Sequence, residues 1–198
     1  MVTRRQLKRF TVLAISMLMA VAGCVKVQTG HSAEERRESS AARASALKAE
    51  FAGRVRAADP VGKVDLLLSE SRFVSDRYQD FGRQFAREWQ EAEDGRGESV
   101  EAEEMKKMIG LWLDADKPIL KAWDDNLEAV LQEIKLTKVF DPQLIESATK
   151  LINAQYGLSS ATIFPSTTVS EYLADIDDAV RAVEVQSAEL ERELDSYR

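Results

Sequence analysis

Residues 168–197 read TVSEYLADIDDAVRAVEVQSAELERELDSY, and their apolar spacing decides the fold. Val169, Leu173, Ile176, Val180, Val183, Ser187, Leu190, Leu194 and Tyr197 recur in alternating steps of four and three, with Ser187 the one small polar member. An α-helix completes a turn in about 3.6 residues, so this spacing collects all nine on a single stripe. Thr168-Val169-Ser170-Glu171 opens the helix as a capping box, the threonine oxygen accepting an orphan amide while the glutamate reaches back. The result is a rod of roughly 45 Å carrying a coiled-coil-like seam. Its partner is either an earlier helix of the same chain or the same helix of another subunit. Tyr172, Ala179 and Ala182 widen the apolar face toward the width that bundle packing uses, which favours the first. Leu173, Ile176, Val180, Val183, Leu190 and Leu194 are the candidate partner-binding residues if the second applies.

Working back from this stretch, the same period recurs. Ser32-Ala33-Glu34-Glu35 is a capping box, and the spacing predicts a helix over Ala33 to Ala57 with a thin apolar content of Leu47, Phe51 and Val55. Asp59-Pro60 starts a second helix, an N-cap acceptor followed by a proline whose missing amide costs nothing there. Val64, Leu67, Ser71, Val74, Tyr78, Phe81 and Phe85, widened by Leu68 and Trp89, give it a core face that should run to Glu93. Asp94-Gly95-Arg96-Gly97 reads as a turn. A third stretch spans Ser99 to Lys138, with a kink or break expected at Pro118, which cannot donate to the carbonyl four residues back. Asp141-Pro142 repeats the start signal for a short helix ending at Gly157, and the apolar loop residues Ile163, Phe164 and Pro165 should close one end of the bundle or dock a partner. No run of β-branched residues in period two competes, and there is no internal repeat. The expected fold is all-α, an elongated bundle of about five helices forming a single domain over 32–198.

The N-terminal residues obey another pattern. Arg4, Arg5, Lys8 and Arg9 precede an apolar run from Phe10 to Ala22. Thirteen residues at about 1.5 Å each span roughly 20 Å, short of the roughly 30 Å hydrocarbon core that a resident helix must cross. Small residues then lead to the only cysteine, Val21-Ala22-Gly23-Cys24, as a signal peptidase requires. These four residues resemble the lipobox of bacterial lipoproteins. The resemblance covers only the first 24 residues and implies cleavage between Gly23 and Cys24, a diacylglycerol on the Cys24 thiol and an acyl group on its new amine. Residues 1–23 are then a signal peptide and 24–31 a lipidated tether. Thr3-Arg4-Arg5-Gln6-Leu7-Lys8 partly resembles a twin-arginine signal, but Lys8 replaces the usual second apolar residue, so the general secretory route fits better. Val25 stands where lipoproteins kept at the inner membrane often carry aspartate. By that resemblance the expected location is the periplasmic face of the outer membrane.

Charge and composition exclude much else. The chain holds 27 basic and 34 acidic residues; removal of residues 1–23 takes four of the basic ones and leaves a net charge of −11. Nucleic acid would be repelled at long range. The charge is uneven, because Val25 to Ala58 carries seven basic residues against four acids, whereas Glu88 to Glu104 carries eight acids and one arginine. Pro165 to Arg198 carries nine acids and three bases, so the asymmetry either pairs the first and last helices laterally or steers a basic partner to the distal side. With His31 the only histidine and Cys24 the only cysteine, both in the tether, the domain lacks the side chains of a Ser-His-acid triad, a Cys/His pair, a zinc site or a histidine-ligated haem. Carboxylates remain, in Asp114-Ala115-Asp116, Asp124-Asp125 and Asp175-Ile176-Asp177-Asp178, without the glycine-centred loop of a calcium site. The expectation is a membrane-anchored envelope protein without enzymatic activity or cofactor, acting as a helical interaction or scaffold module toward a protein partner or a second copy. A carrier or sensor of a lipid or other apolar ligand, using the aromatic face of the second helix with Trp112 or Trp123, is the alternative.

Overall fold

The computed structural model describes residues 33–96 and 102–198. Among them are five α-helices and no strand: α1 (Ala33–Ala57), α2 (Pro60–Arg96), α3 (Ala102–Leu136), α4 (Pro142–Ile163) and α5 (Val169–Leu194), closed by a 3₁₀ turn at Asp195–Tyr197. The start signals act as their chemistry requires. Asp59 Oδ1 accepts from the Gly62 amide at 2.7 Å, Asp141 Oδ1 from the Leu144 amide at 2.9 Å and Thr168 Oγ1 from the Glu171 amide at 3.2 Å. Each satisfies one of the amides that the first helical turn leaves without an intrahelical partner. The expected signal peptide over 1–23, Cys24 and the expected tether over 24–31 lie outside the described residues.

The expected stops fare worse than the starts. Helix α2 passes through Gly95 to Arg96, and α4 passes through Gly157 to Ile163. A glycine inside a helix costs about 1 kcal/mol relative to alanine. Beyond Gly157, the buried Leu158, Ser159 and Thr162 return more than that by packing into the core. The α4–α5 connection therefore shrinks to residues 164–168; its Pro165 is buried and Ile163, now the last residue of α4, is half-buried, whereas Phe164 stays 66% exposed. Helix α3 is likewise unbroken at Pro118. Burial of Ile109 before it and of Ala122 and Trp123 after it holds both halves to the same core, which offsets the lost backbone bond.

Direction alternates along the chain. Lys63 meets Glu133 while Tyr78 meets Asp124, so α2 and α3 are antiparallel. Gln155 bonds Ser71 and Ser159 bonds Tyr78, so α4 runs with α2. Arg72 pairs with Glu191 and Arg83 with Asp177, so α5 runs against α2. Helix α2 is the centre: it packs on α3, α4 and α5, α4 and α5 form a hairpin, and α1 lies outboard against α3. The charged α1 is thus matched with α3 and not with the acidic last helix.

The aromatic stripe of α2 fills the interior. Phe85 and Trp89 close on Tyr172 of α5 with ring centroids 5.7 and 6.3 Å apart, and the Tyr172 hydroxyl donates to the Thr162 carbonyl at 2.8 Å. This is the offset and edge-on geometry in which aromatic pairs gain beyond their buried area. Helix α5 comes close because Gly82 has no side chain: a Cβ there would sit 2.3 Å from Cδ1 of the fully buried Ile176. Gly82→Ala is expected to lower stability by about 1–2 kcal/mol in urea unfolding, the strain of an overfilled core outweighing the gain in helix propensity. Ile176→Val, which removes the clashing methyl, should recover part of that loss when combined with it; equal or greater stability of Gly82→Ala alone would show that the crossing is not tight.

Candidate functional site

The seam of α5 is filled from within the chain. Ile176, Val183, Leu190 and Leu194 are buried in the common core, and only Leu173 and Val180 remain half-exposed. The six residues named as a partner surface therefore reduce to those two, because α2 and α4 already occupy the space that a second α5 would need. Leu173 and Val180 mark the floor of a groove on the outer side of the α2–α5 pair.

That groove is open to solvent along its length. It consists of a cavity of about 660 Å³ beside Leu173 and one of about 340 Å³ beside Val180, with the close approach of the two helices at Gly82 and Ile176 lying at the height of the first. Its walls differ in charge. The α2 wall presents Arg72, Arg77, Arg83 and Arg87 with Asp76 and Asp80; the α5 wall presents Asp177, Glu184 and Glu191 and no base. Two pairs cross it, Arg72 with Glu191 and Arg83 with Asp177, the latter at 3.8 Å with both side chains 55% exposed. Exposed pairs of this kind stabilise a fold very little. The basic wall was legible: 72, 83 and 87 differ by 11 and four, which are near-whole numbers of helical turns.

A second polar feature lies inside. Ser159 Oγ donates to the Tyr78 hydroxyl at 3.1 Å, and Tyr78 in turn faces Asp124 Oδ1 at 3.5 Å. One turn along, Gln155 Nε2 donates to the carbonyl and hydroxyl oxygens of Ser71, both at 2.6 Å. On the α1 side, Asn126 Nδ2 donates to Glu70 Oε1 at 3.3 Å, with Arg54 3.8 Å from the other oxygen. Burial pushes the Asp124 carboxyl up to about 6, the Tyr78 hydroxyl pulling the other way and Asp125 adding to the rise. Burial likewise pushes Asp116 up to about 6, against the pull of Arg43, and Glu88 up to about 7. Asp125 is held below the usual carboxylate range by Lys121 and Lys48.

The acidic clusters are therefore divided. Asp125 bonds Lys48 and Lys121, Asp175 accepts from Ser166, Asp177 faces Arg83 and Asp178 pairs with Arg181 at 3.2 Å, whereas Asp116 and Asp124 turn inward. Among the described residues no group of three or more His, Cys, Asp or Glu is placed to hold a metal ion. Nor does any described helix have the length and hydropathy to cross a membrane. The aromatic face that an apolar ligand would use is taken up by packing: Tyr78, Phe85 and Trp89 are buried, and Trp123 stands edge-on to Phe73 and Tyr78. The Trp112 side chain lies outside the described residues.

No family model, no curated protein and no solved structure matches the chain.

The inward carboxyl of Asp124 gives a pH signature. A carboxyl raised by burial binds its proton more tightly folded than unfolded, so its contribution favours the fold at low pH and weakens it as pH rises through about 6. Asp124→Asn, which keeps an acceptor for Tyr78, is expected to be more stable than the parent at pH 8. The difference should shrink as pH falls through about 6 toward 4, read from urea midpoints. A difference independent of pH would show that this carboxyl does not titrate as described.

Proposed function

We propose that this chain is a lipid-anchored module of a bacterial envelope that works by presenting a helical surface to a protein partner, not by catalysis. The observation that carries the reading is the α2–α5 groove, an open, two-walled channel with an apolar floor and opposite charges on its two sides. Two antiparallel helices with such a groove offer the setting in which a further helix docks, apolar residues along the floor and charged ones along the rims. Charges at the rims set partner and orientation more than strength, which suits recognition at a surface where the anchor already supplies proximity.

The anchor belongs to the same proposal. Supporting it are the basic start, the short apolar run, the small residues and the cysteine at 24, which together resemble a lipobox. Two or more acyl chains at about 0.8 kcal/mol per buried methylene hold a protein stably on a bilayer, where one alone is marginal. The tether of residues 24–31 would then keep the domain close to the membrane, since eight extended residues reach at most about 28 Å. The periplasmic face of the outer membrane is the proposed location.

Fractionation tests the anchor. The wild-type chain is expected in the membrane fraction, starting at Cys24 with an added mass of acyl groups. Cys24→Ser should move it to the aqueous fraction with unchanged helix content by circular dichroism. A native chain that keeps residues 1–23, or one that stays aqueous with a free thiol at Cys24, would remove the basis for the placement.

A further inference from the structure

We propose that the partner of the α2–α5 groove is a second copy of this chain, the two copies standing side by side about a two-fold axis parallel to their helices. The inference rests on the interaction reading above and names its occupant.

Self-complementarity carries it. In a chain of strongly negative balance, the α2 wall is net basic and the α5 wall contains only acids among its charged groups. A two-fold axis along the helices sets the α2 wall of each copy against the α5 wall of the other, so basic faces acidic twice. The alternative in-plane axis, perpendicular to the helices, would set α2 on α2 and α5 on α5, like against like. Heights match as well. Because α2 and α5 run antiparallel with Arg83 level with Asp177 and Arg72 level with Glu191, rotation about the parallel axis brings each arginine to the level of the same acid in the other copy. Each exposed pair then joins its symmetry mate in a cluster of four alternating charges, partly withdrawn from water. Arg87, whose charge within its own chain acts on the adjacent Glu88 of the same helix, and Glu184 also line the groove without pairing across it, which leaves both open to the second copy.

The two open cavities, together about as large as a drug-sized ligand pocket, give room for side chains of the other copy over Leu173 and Val180. Orientation agrees with the anchor. Arg43 acts on Asp116 and Lys48 meets Asp125, so α1 runs with α3, and a parallel axis places the α1 starts of both copies at one end of the pair, as two anchors in one leaflet require.

The test uses full-length chains carrying two different tags, co-expressed and extracted in mild detergent, with co-purification as the readout. Wild-type chains are expected to co-purify. Arg83→Glu in both copies, or Asp177→Arg in both copies, should weaken this by roughly tenfold or more, since each reversal places like charges at two symmetric positions. Co-expressing one tagged chain with Arg83→Glu and the other with Asp177→Arg should restore it. In that mixed pair the contact within each chain remains broken while both contacts between copies are of opposite sign, so a purely internal pair cannot give this result. Arg87→Glu, which breaks no pair across the groove within the chain, should weaken association as well while the helix content stays unchanged. Wild-type chains that do not co-purify, reversals that leave association unchanged, or a mixed pair no stronger than the single variants would each overturn the interface. Monomeric chains in the membrane fraction would refute the interface and leave the anchor standing; self-associating chains in the aqueous fraction would do the reverse.

Discussion

Everything in this structure depends on α2 being surrounded. A helix of 37 residues whose stripe carries Tyr78, Phe85 and Trp89 cannot stand in water; α3, α4 and α5 cover it from three directions, and only its outer arginine-bearing face remains exposed. The notch at Gly82 sets how near α5 can come, and the nearness puts Ile176 and Tyr172 on the aromatic cluster. Burial of this kind is non-directional. It explains why the helices gather, but it does not choose their register.

Register comes from the polar groups inside. Ser71 with Gln155, and Ser159 with Tyr78, fix α4 along α2, while Tyr78 with Asp124 and Glu70 with Asn126 fix α3. A slip of one turn would leave these groups buried without partners, a cost of roughly 1–3 kcal/mol each. Helix α1 is held differently. Among its described side chains only Ser40, Ala44, Phe51 and Val55 are buried; Phe51 and Val55 join the core, and the pairs of Lys48 with Asp125 and Arg54 with Glu70 add to that packing. It is the helix nearest the proposed anchor and the least committed to the core.

Helix existence and starts were legible in the sequence because they rest on local chemistry: a side-chain acceptor, a proline without an amide, a period of 3.6. Stops were not: Gly157 is permissive in itself, and only the burial of Leu158, Ser159 and Thr162 beyond it decides that α4 continues. The same holds for Pro118. The seam of α5 shows the limit for function: its period announced a buried face, and only the fold could say that α2 and α4 bury Ile176, Val183, Leu190 and Leu194. Asp124 and Asp125 are neighbours in sequence with opposite fates, one beneath Tyr78 and one between two lysines, since adjacent helical residues point about 100° apart. The arginine wall, in contrast, could be read from spacing alone; its meaning needed the acidic wall opposite.

With the core closed, the face that α2 and α5 leave uncovered is the natural place for this molecule to act, and the anchor would hold that place near a membrane. All of this requires α2 to be the last element to open. Native-state hydrogen exchange of the full-length chain tests that requirement directly. The account predicts that α2 amides between Val74 and Trp89 exchange only through global unfolding, while α1 amides exchange through a cheaper local opening. If the α2 amides exchanged as readily as those of α1, or if α5 remained protected after α2 had opened, α2 would not be the centre of the fold and the groove beside it would lose its footing.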